Sequence, residues 1–208
     1  MTRRCIIIIS NPGSTPQRIE WPFFDLPTDN TPLPSVSNAA LHWILRSPTT
    51  RRATLLAIFS ALKPTGKFVF EMGGAGNVAE IQSALFFAVM RYASEGRNSI
   101  SAAHAANPWF FPSETWMRTT LEEIGFKVEK LELEYRPTRL TDDKEKGGLE
   151  GWVRLMGASM LEIIEDEGKR ESAVKEVCEV LDPIVTREED GSQWLGYVRL
   201  RGVASRPN

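Results

Sequence analysis

From residue 44 onward, apolar positions recur at the spacing of regular secondary structure. Ser47-Pro48 has the chemistry of a helix N-cap followed by a first-turn proline. Leu55, Leu56, Phe59 and Leu62 then share one face at three- and four-residue steps, which predicts a helix stopped by Lys63-Pro64-Thr65-Gly66. KFVFEM at residues 67–72 reads as a short buried strand, left by the loop Gly73-Gly74-Ala75-Gly76-Asn77. A second helix carries Val78, Ile81, Leu85, Ala88 and Tyr92 in register. Residues 94–112, rich in Ser, Ala and Asn and closing on Asn107-Pro108-Trp109-Phe110-Phe111-Pro112, read as loop.

Ser113 caps a third predicted helix through Trp116, Leu121 and Ile124, and Gly125 stands where a left-handed stop belongs. Residues 126–135 form a strand whose apolar phase changes, with Phe126 and Val128 on one face and Leu131, Leu133 and Tyr135 on the other. A bulge near Glu129-Lys130 would reconcile the two. A polar loop over 137–148 leads to two amphipathic helices, about 149–166 and 168–182. The chain returns through a turn at Glu189-Asp190-Gly191-Ser192 into a strand at 194–204. Alternating strands and helices predict an α/β sheet.

The first 43 residues break that regularity. Residues 5–10 make a plausible strand, but Pro12, Pro16, Pro22, Pro27, Pro32 and Pro34 forbid a long helix or interior strand after it. The expected organisation is an irregular Pro-rich lead-in over 1–35 and one α/β domain over 36–208, with 149–182 inserted as a helical pair before the last strand.

Composition narrows the function classes. The chain has 208 residues, 42% hydrophobic and 25% charged, which is ordinary for a globular domain with a full core. Twenty-five Lys and Arg against 27 Asp and Glu give a net charge of −2, so bulk charge offers no basic face for nucleic acid. Two histidines, two widely spaced cysteines and no CxxC pair argue against a zinc site and fit a reducing compartment. The apolar run at residues 5–9 behind Arg3-Arg4 is shorter than the 7–15 residues of a signal peptide core and the ~20 of a membrane span. The expectation is a cytoplasmic chain with no membrane or metal partner.

The most specific stretch is Ser37-Asn38-Ala39-Ala40-Leu41-His42-Trp43. Together with Ala61-Leu62-Lys63-Pro64-x-Gly66-Lys67-Phe68 and Glu71-Met72-Gly73-Gly74-x-Gly76-Asn77, it resembles the class I S-adenosylmethionine-dependent methyltransferases, closest to the trans-aconitate-methyltransferase-like branch. Asn107-Pro108-Trp109-Phe110-Phe111-Pro112-Ser113, Gly151-Trp152 and Tyr197-Val198-Arg199-Leu200-Arg201 extend the resemblance from about Val36 to Pro207.

The resemblance implies a Rossmann-like fold, S-adenosylmethionine as cofactor and methyl transfer to a small molecule, a carboxylic acid or secondary metabolite, with O-methylation favoured. It places Asn38, Ala39 and Ala40 beside the methionine part of the cofactor and His42 and Trp43 on the acceptor side, with His42 as the catalytic candidate. Gly73, Gly74 and Asn77 would line the acceptor pocket, Trp109 and Phe110 would cover it, and Arg199 would pair with a substrate carboxylate. Each has a plainer reading: Trp43 as core, His42 as a satisfied polar group, the glycines as a tight turn, the aromatic loop as packing on its own body, and Arg199 as a structural or solvated arginine.

One part of the pattern has no match. Such enzymes begin with strand–helix units that carry a glycine-rich D-x-G-x-G-type turn and an acid for the ribose hydroxyls. Asn11-Pro12-Gly13-Ser14 has one glycine and an obstructing proline, nothing positions Asp25 or Asp29, and about 35 residues are too few for three such units. The expected fold is therefore incomplete and N-terminally truncated. A second reading, an inactive relative serving as partner subunit or small-molecule binder, or a truncated gene product, stands beside the enzyme. An incomplete sheet would also leave one strand edge open to a homodimer or heteromer, or to cover in cis by residues 6–9.

Overall fold

The computed structural model describes residues 35–93, 99–141 and 147–208, with Ser35, Val36, Asn38 and Ser99 described by their backbone alone. The strand expected at 5–10, its cover of a sheet edge, Asp25 and Asp29 lie outside these residues. The described residues divide into two compact units, one of 35–75, Phe110–Glu134 and Arg199–Asn208, the other of 76–93, 99–109, 135–141 and 147–198.

The first unit holds a four-stranded sheet. Its strands are β1 (Ser35–Asn38), β2 (Lys67–Gly73), β3 (Lys127–Tyr135) and β6 (Val198–Ser205), in the order β1-β2-β6-β3. β1 runs parallel to β2, with Asn38 opposite Glu71, so the chain must cross over between them. It does so through α1 (Leu41–Ile44) and α2 (Arg51–Ala61). β6 is antiparallel to β2, from Lys67 opposite Ser205 to Gly73 opposite Arg199. The predicted α/β architecture is present.

β2 is buried from Phe68 to Gly73, the continuous run expected of an interior strand with both faces covered. Phe68, Phe70 and Met72 join Leu41, Leu45, Leu55, Met117, Leu121, Phe126, Leu131 and Leu200 in one core cluster. α5 (Glu114–Ile124) supplies Met117 and Leu121 and has the predicted ends. Ser113 Oγ accepts from the Trp116 amide at 3.1 Å, and Gly125 closes the helix at φ 112°.

The second unit is mainly helical: α3 (Ala79–Tyr92), α4 (Ser99–Ala106), α6 (Gly148–Met156), α7 (Ala158–Leu161) and α8 (Glu167–Val185). A two-stranded ribbon pairs β4 (Thr138–Arg139) with β5 (Trp194–Leu195). α3 and α8 pack on each other and bury Ile81, Leu85, Val177 and Leu181.

Four expectations on secondary structure differ from what is observed, each for a local reason. The helix expected to open at Ser47 begins at Arg51, because Ser47 Oγ bonds Thr49 Oγ1 instead of capping a backbone amide. Residues 99–106, expected as loop, form α4, since an alanine-rich stretch needs little apolar periodicity to stay helical; Ala103 is completely buried in it. The helix expected over 149–166 breaks at Gly157, where an added Cβ would sit 2.7 Å from the Val153 carbonyl oxygen. The final strand is interrupted at Gly196, whose amide donates to Glu80 Oε1 at 2.7 Å. β3 runs from Lys127 to Tyr135, with Leu131 buried in the same core cluster as Phe126 and with Leu133 and Tyr135 exposed.

Candidate functional site

In an open α/β sheet, ligands bind beyond the carboxyl ends of the parallel strands. In the first unit that end belongs to β1 and β2. β1 stops at Asn38, and Ala39 takes a left-handed conformation (φ 51°) while its amide donates to the Glu71 carbonyl at 2.8 Å. A left-handed alanine is uncommon, and this one turns the chain off the strand into α1 with only a methyl group exposed there. Ala40 follows half-buried at the helix start.

α1 delivers His42. Its side chain is 7% exposed and its Nδ1 accepts a hydrogen bond from the Gly73 amide at 3.2 Å, tying α1 to the end of β2. The His42 carbonyl accepts from the Phe110 amide at 2.9 Å, and the ring lies 5.6 Å from the rings of both Trp43 and Phe111. Burial, followed by the positive charge of Arg199, pushes the His42 pKa down to about 4. The imidazole is therefore neutral near pH 7.

Beside it stands an ionic group that spacing along the chain did not single out. Glu71, 7% exposed in the middle of an apolar strand, faces Arg201 across β2 and β6. Arg201 Nε donates to Glu71 Oε2 at 2.7 Å and the same guanidinium also pairs with Glu134, while Arg199 Nε lies 3.9 Å from Glu71 Oε1. A buried carboxylate needs such compensation. The available signal was a charge inside KFVFEM together with arginines at alternate positions of the last strand.

The remaining expected residues divide. Phe110 is half-buried under the Arg51 guanidinium, 3.4 Å from its ring centroid, and meets Trp116 edge-on at 4.8 Å. Arg51 is itself fixed by donating to the Leu45 carbonyl at 2.7 Å. Trp43 is half-buried on α1. Gly74 is buried where an added Cβ would run into Leu133 and come within 3.1 Å of Leu200 Cβ, so close strand packing accounts for that glycine. Asn77 and Trp109 belong to the second unit. Asn77 Oδ1 accepts from the Val198 amide at 2.9 Å, and Trp109 lies 6.0 Å from Trp152, whose Nε1 donates to Tyr197 Oη at 2.8 Å. His104 is exposed on α4 rather than in a loop. Among the described residues no cluster of three His, Cys, Asp or Glu is placed to hold a metal ion, and no helix is long and apolar enough to cross a membrane.

A parallel strand pair continued by an antiparallel strand, with a turn of small residues and a charged cluster at its carboxyl end, defines a mixed α/β fold. No family model matches the chain. The uncharacterized methyltransferase C70.08c of the fission yeast Schizosaccharomyces pombe is 31% identical over 170 residues, which are 82% of this chain and 61% of that protein. The chain thus spans about three fifths of the length of this relative. Among solved structures, loganic acid methyltransferase with SAH is 14% identical, with 84% of this chain and 61% of that one covered at a TM-score of 0.47. The YcgJ protein of Bacillus subtilis is 7% identical, with 84% and 63% covered at 0.43. Phosphoethanolamine N-methyltransferase 2 of Haemonchus contortus, with S-adenosyl-L-methionine, is 14% identical, with 84% and 33% covered at 0.35.

Proposed function

We propose that the chain carries the acceptor side of a class I S-adenosylmethionine-dependent methyltransferase whose substrate is a small molecule, a carboxylic acid or a secondary metabolite methylated on oxygen. The observation that carries this reading is the grouping at the carboxyl ends of β1 and β2: the Ala39 turn, His42 pinned to Gly73, and Arg199 beside Glu71. The 31% identity to the fission yeast methyltransferase supports it.

The residues present fit one end of the cofactor. The exposed Ala39 methyl and half-buried Ala40 leave room at the strand end for the methionine part, and Asn38 stands at the last position of β1. Among the described residues nothing corresponds to the glycine-rich turn or the ribose-holding acid. When bound, S-adenosylmethionine supplies a methyl group on a positively charged sulfur. The chain's own share is orientation: fixing an acceptor oxygen in line with that methyl is worth up to about 7–11 kcal/mol of barrier. A carboxylate acceptor arrives deprotonated, so no side chain has to remove a proton.

Calorimetric titration of the folded chain with S-adenosylmethionine, with S-adenosylhomocysteine as competitor, tests the reading. Micromolar, competitive binding is expected. No heat at near-millimolar ligand, in a chain whose circular dichroism shows it folded, would replace the enzyme with an inactive relative.

A further inference from the structure

We infer that His42 is not a base but a fixed hydrogen-bond donor, which presents its Nε2 proton to an anionic oxygen of the acceptor while Gly73 holds the ring in that tautomer. This rests on the methyl-transfer reading for its ligand, though not for its geometry.

The argument begins with the Gly73 amide. It donates to Nδ1 at 3.2 Å, so the Nδ1 lone pair is occupied. A neutral imidazole carries one N–H, and that proton must then sit on Nε2. A backbone amide does not titrate or rotate away, so the other tautomer would set two N–H groups against each other. Burial of the ring works in the same direction by disfavouring the doubly protonated form.

The Nε2 proton has no acceptor among the described residues. Nor is Nε2 one of the sealed, unpartnered side-chain atoms there, which are Ser37 Oγ and Glu176 Oε2. Among the described residues this donor is neither bonded nor sealed, which leaves it open to a ligand or water. The ring is held from several sides by the Trp43 and Phe111 rings and by the Phe110 amide on its own carbonyl, so its direction is set before anything binds.

The surrounding charges select the occupant. Neither α1 nor the 110–112 segment carries an Asp, Glu, Lys or Arg. β6 contributes Arg199 and Arg201, β2 contributes Glu71, β3 contributes Glu134 paired with Arg201, and Arg51 lies over Phe110. Of these, Arg199 acts directly on His42. A neutral donor beside a guanidinium favours a carboxylate oxygen over a neutral hydroxyl, which would need a base that this ring cannot supply.

The test uses the full chain labelled with [15N]histidine, with succinate as the anionic probe and succinamide as its neutral counterpart. His104→Gln leaves one histidine and assigns the signal. Two-bond proton–nitrogen correlation is expected to show a neutral ring protonated on Nε2 from pH 8 down to 5.5, with succinate shifting the Nε2 signal and succinamide leaving it in place. Protonation on Nδ1, a titration midpoint near 6.5, an equal response to both probes or no response to either would each overturn the inference. His42→Ala should weaken succinate at least about tenfold and His42→Gln should recover part of the loss. Equal weakening by both variants would count against a donor role. If either variant fails to fold, the labelled wild-type chain decides alone. S-adenosylmethionine binding with the wrong tautomer removes this inference only. The expected tautomer and succinate shift without any cofactor binding remove the methyl-transfer reading only.

Discussion

Gly202→Ala is the substitution whose cost follows most directly from the sheet. Gly202 lies opposite Phe70 where β6 crosses β2, and a Cβ built there would fall 2.5 Å from Phe70 Cε1 and 3.0 Å from Leu131 Cδ1. The Phe70 ring has nowhere to retreat: it is 2% exposed and stacks on Phe68 at 4.9 Å, and Phe68 stands 6.0 Å from Phe126. Forcing a methyl group into such packing costs about 1–3 kcal/mol. Alanine also restricts the unfolded chain, which returns about 0.5–1 kcal/mol. The net expectation is a loss of up to about 2.5 kcal/mol. Urea unfolding, followed by circular dichroism and tryptophan fluorescence and checked for coincidence of the two probes, measures it as a lowered midpoint at unchanged slope. Phe70→Leu removes the atoms in the way, so Gly202→Ala should cost at least about 1 kcal/mol less when both are changed. A stabilised single variant, or strictly additive costs, would refute the clash.

Three further outcomes are expected. Below pH 6.5 the unfolded chain protonates His42 while the folded chain resists until about pH 4, so this group's contribution is complete above 6.5 and is lost as pH falls toward 4. The loss is at most about 3 kcal/mol, and denaturation midpoints against pH should show a slope that His42→Gln flattens. Glu71→Gln leaves Arg199 and Arg201 without their shared carboxylate and should destabilise by about 1–3 kcal/mol with little salt dependence, read from midpoints at low and high salt. Arg154 bridges Glu150 and Glu171 on an exposed surface, so Arg154→Ala should barely move the midpoint at low salt and not at all in 1 M salt.

Where the chain signals structure locally, the sequence was readable. Ser113 and Gly125 bound α5 through one hydrogen bond and one backbone conformation, both inherent to those residue types. KFVFEM reads as buried because an interior strand needs no alternation. α4 was missed because alanines stabilise a helix without marking a face, and the Ser47 cap because its hydroxyl has a nearer partner in Thr49. The site was partly legible. Ser37-Asn38-Ala39-Ala40-Leu41-His42-Trp43 supplies the strand end and His42, but His42's tautomer depends on an amide thirty-one residues away. Glu71 acquires its meaning only from the register that sets it opposite Arg201, a pairing no local pattern encodes.

The position of β6 bears on how the chain is made. β2 and β3 are not direct neighbours because β6 lies between them, and β6 is translated after the whole of 136–197. Until residues 198–205 leave the ribosome, β2 offers an open apolar edge to whatever is nearby, and the Phe68–Phe70 stack lacks the wall that Leu200 and Ala204 complete. Synthesis therefore passes through a long interval in which much of the second unit is available to fold while the first waits. Ribosome-bound chains stalled before residue 198 should be the ones that chaperones hold and proteases cut.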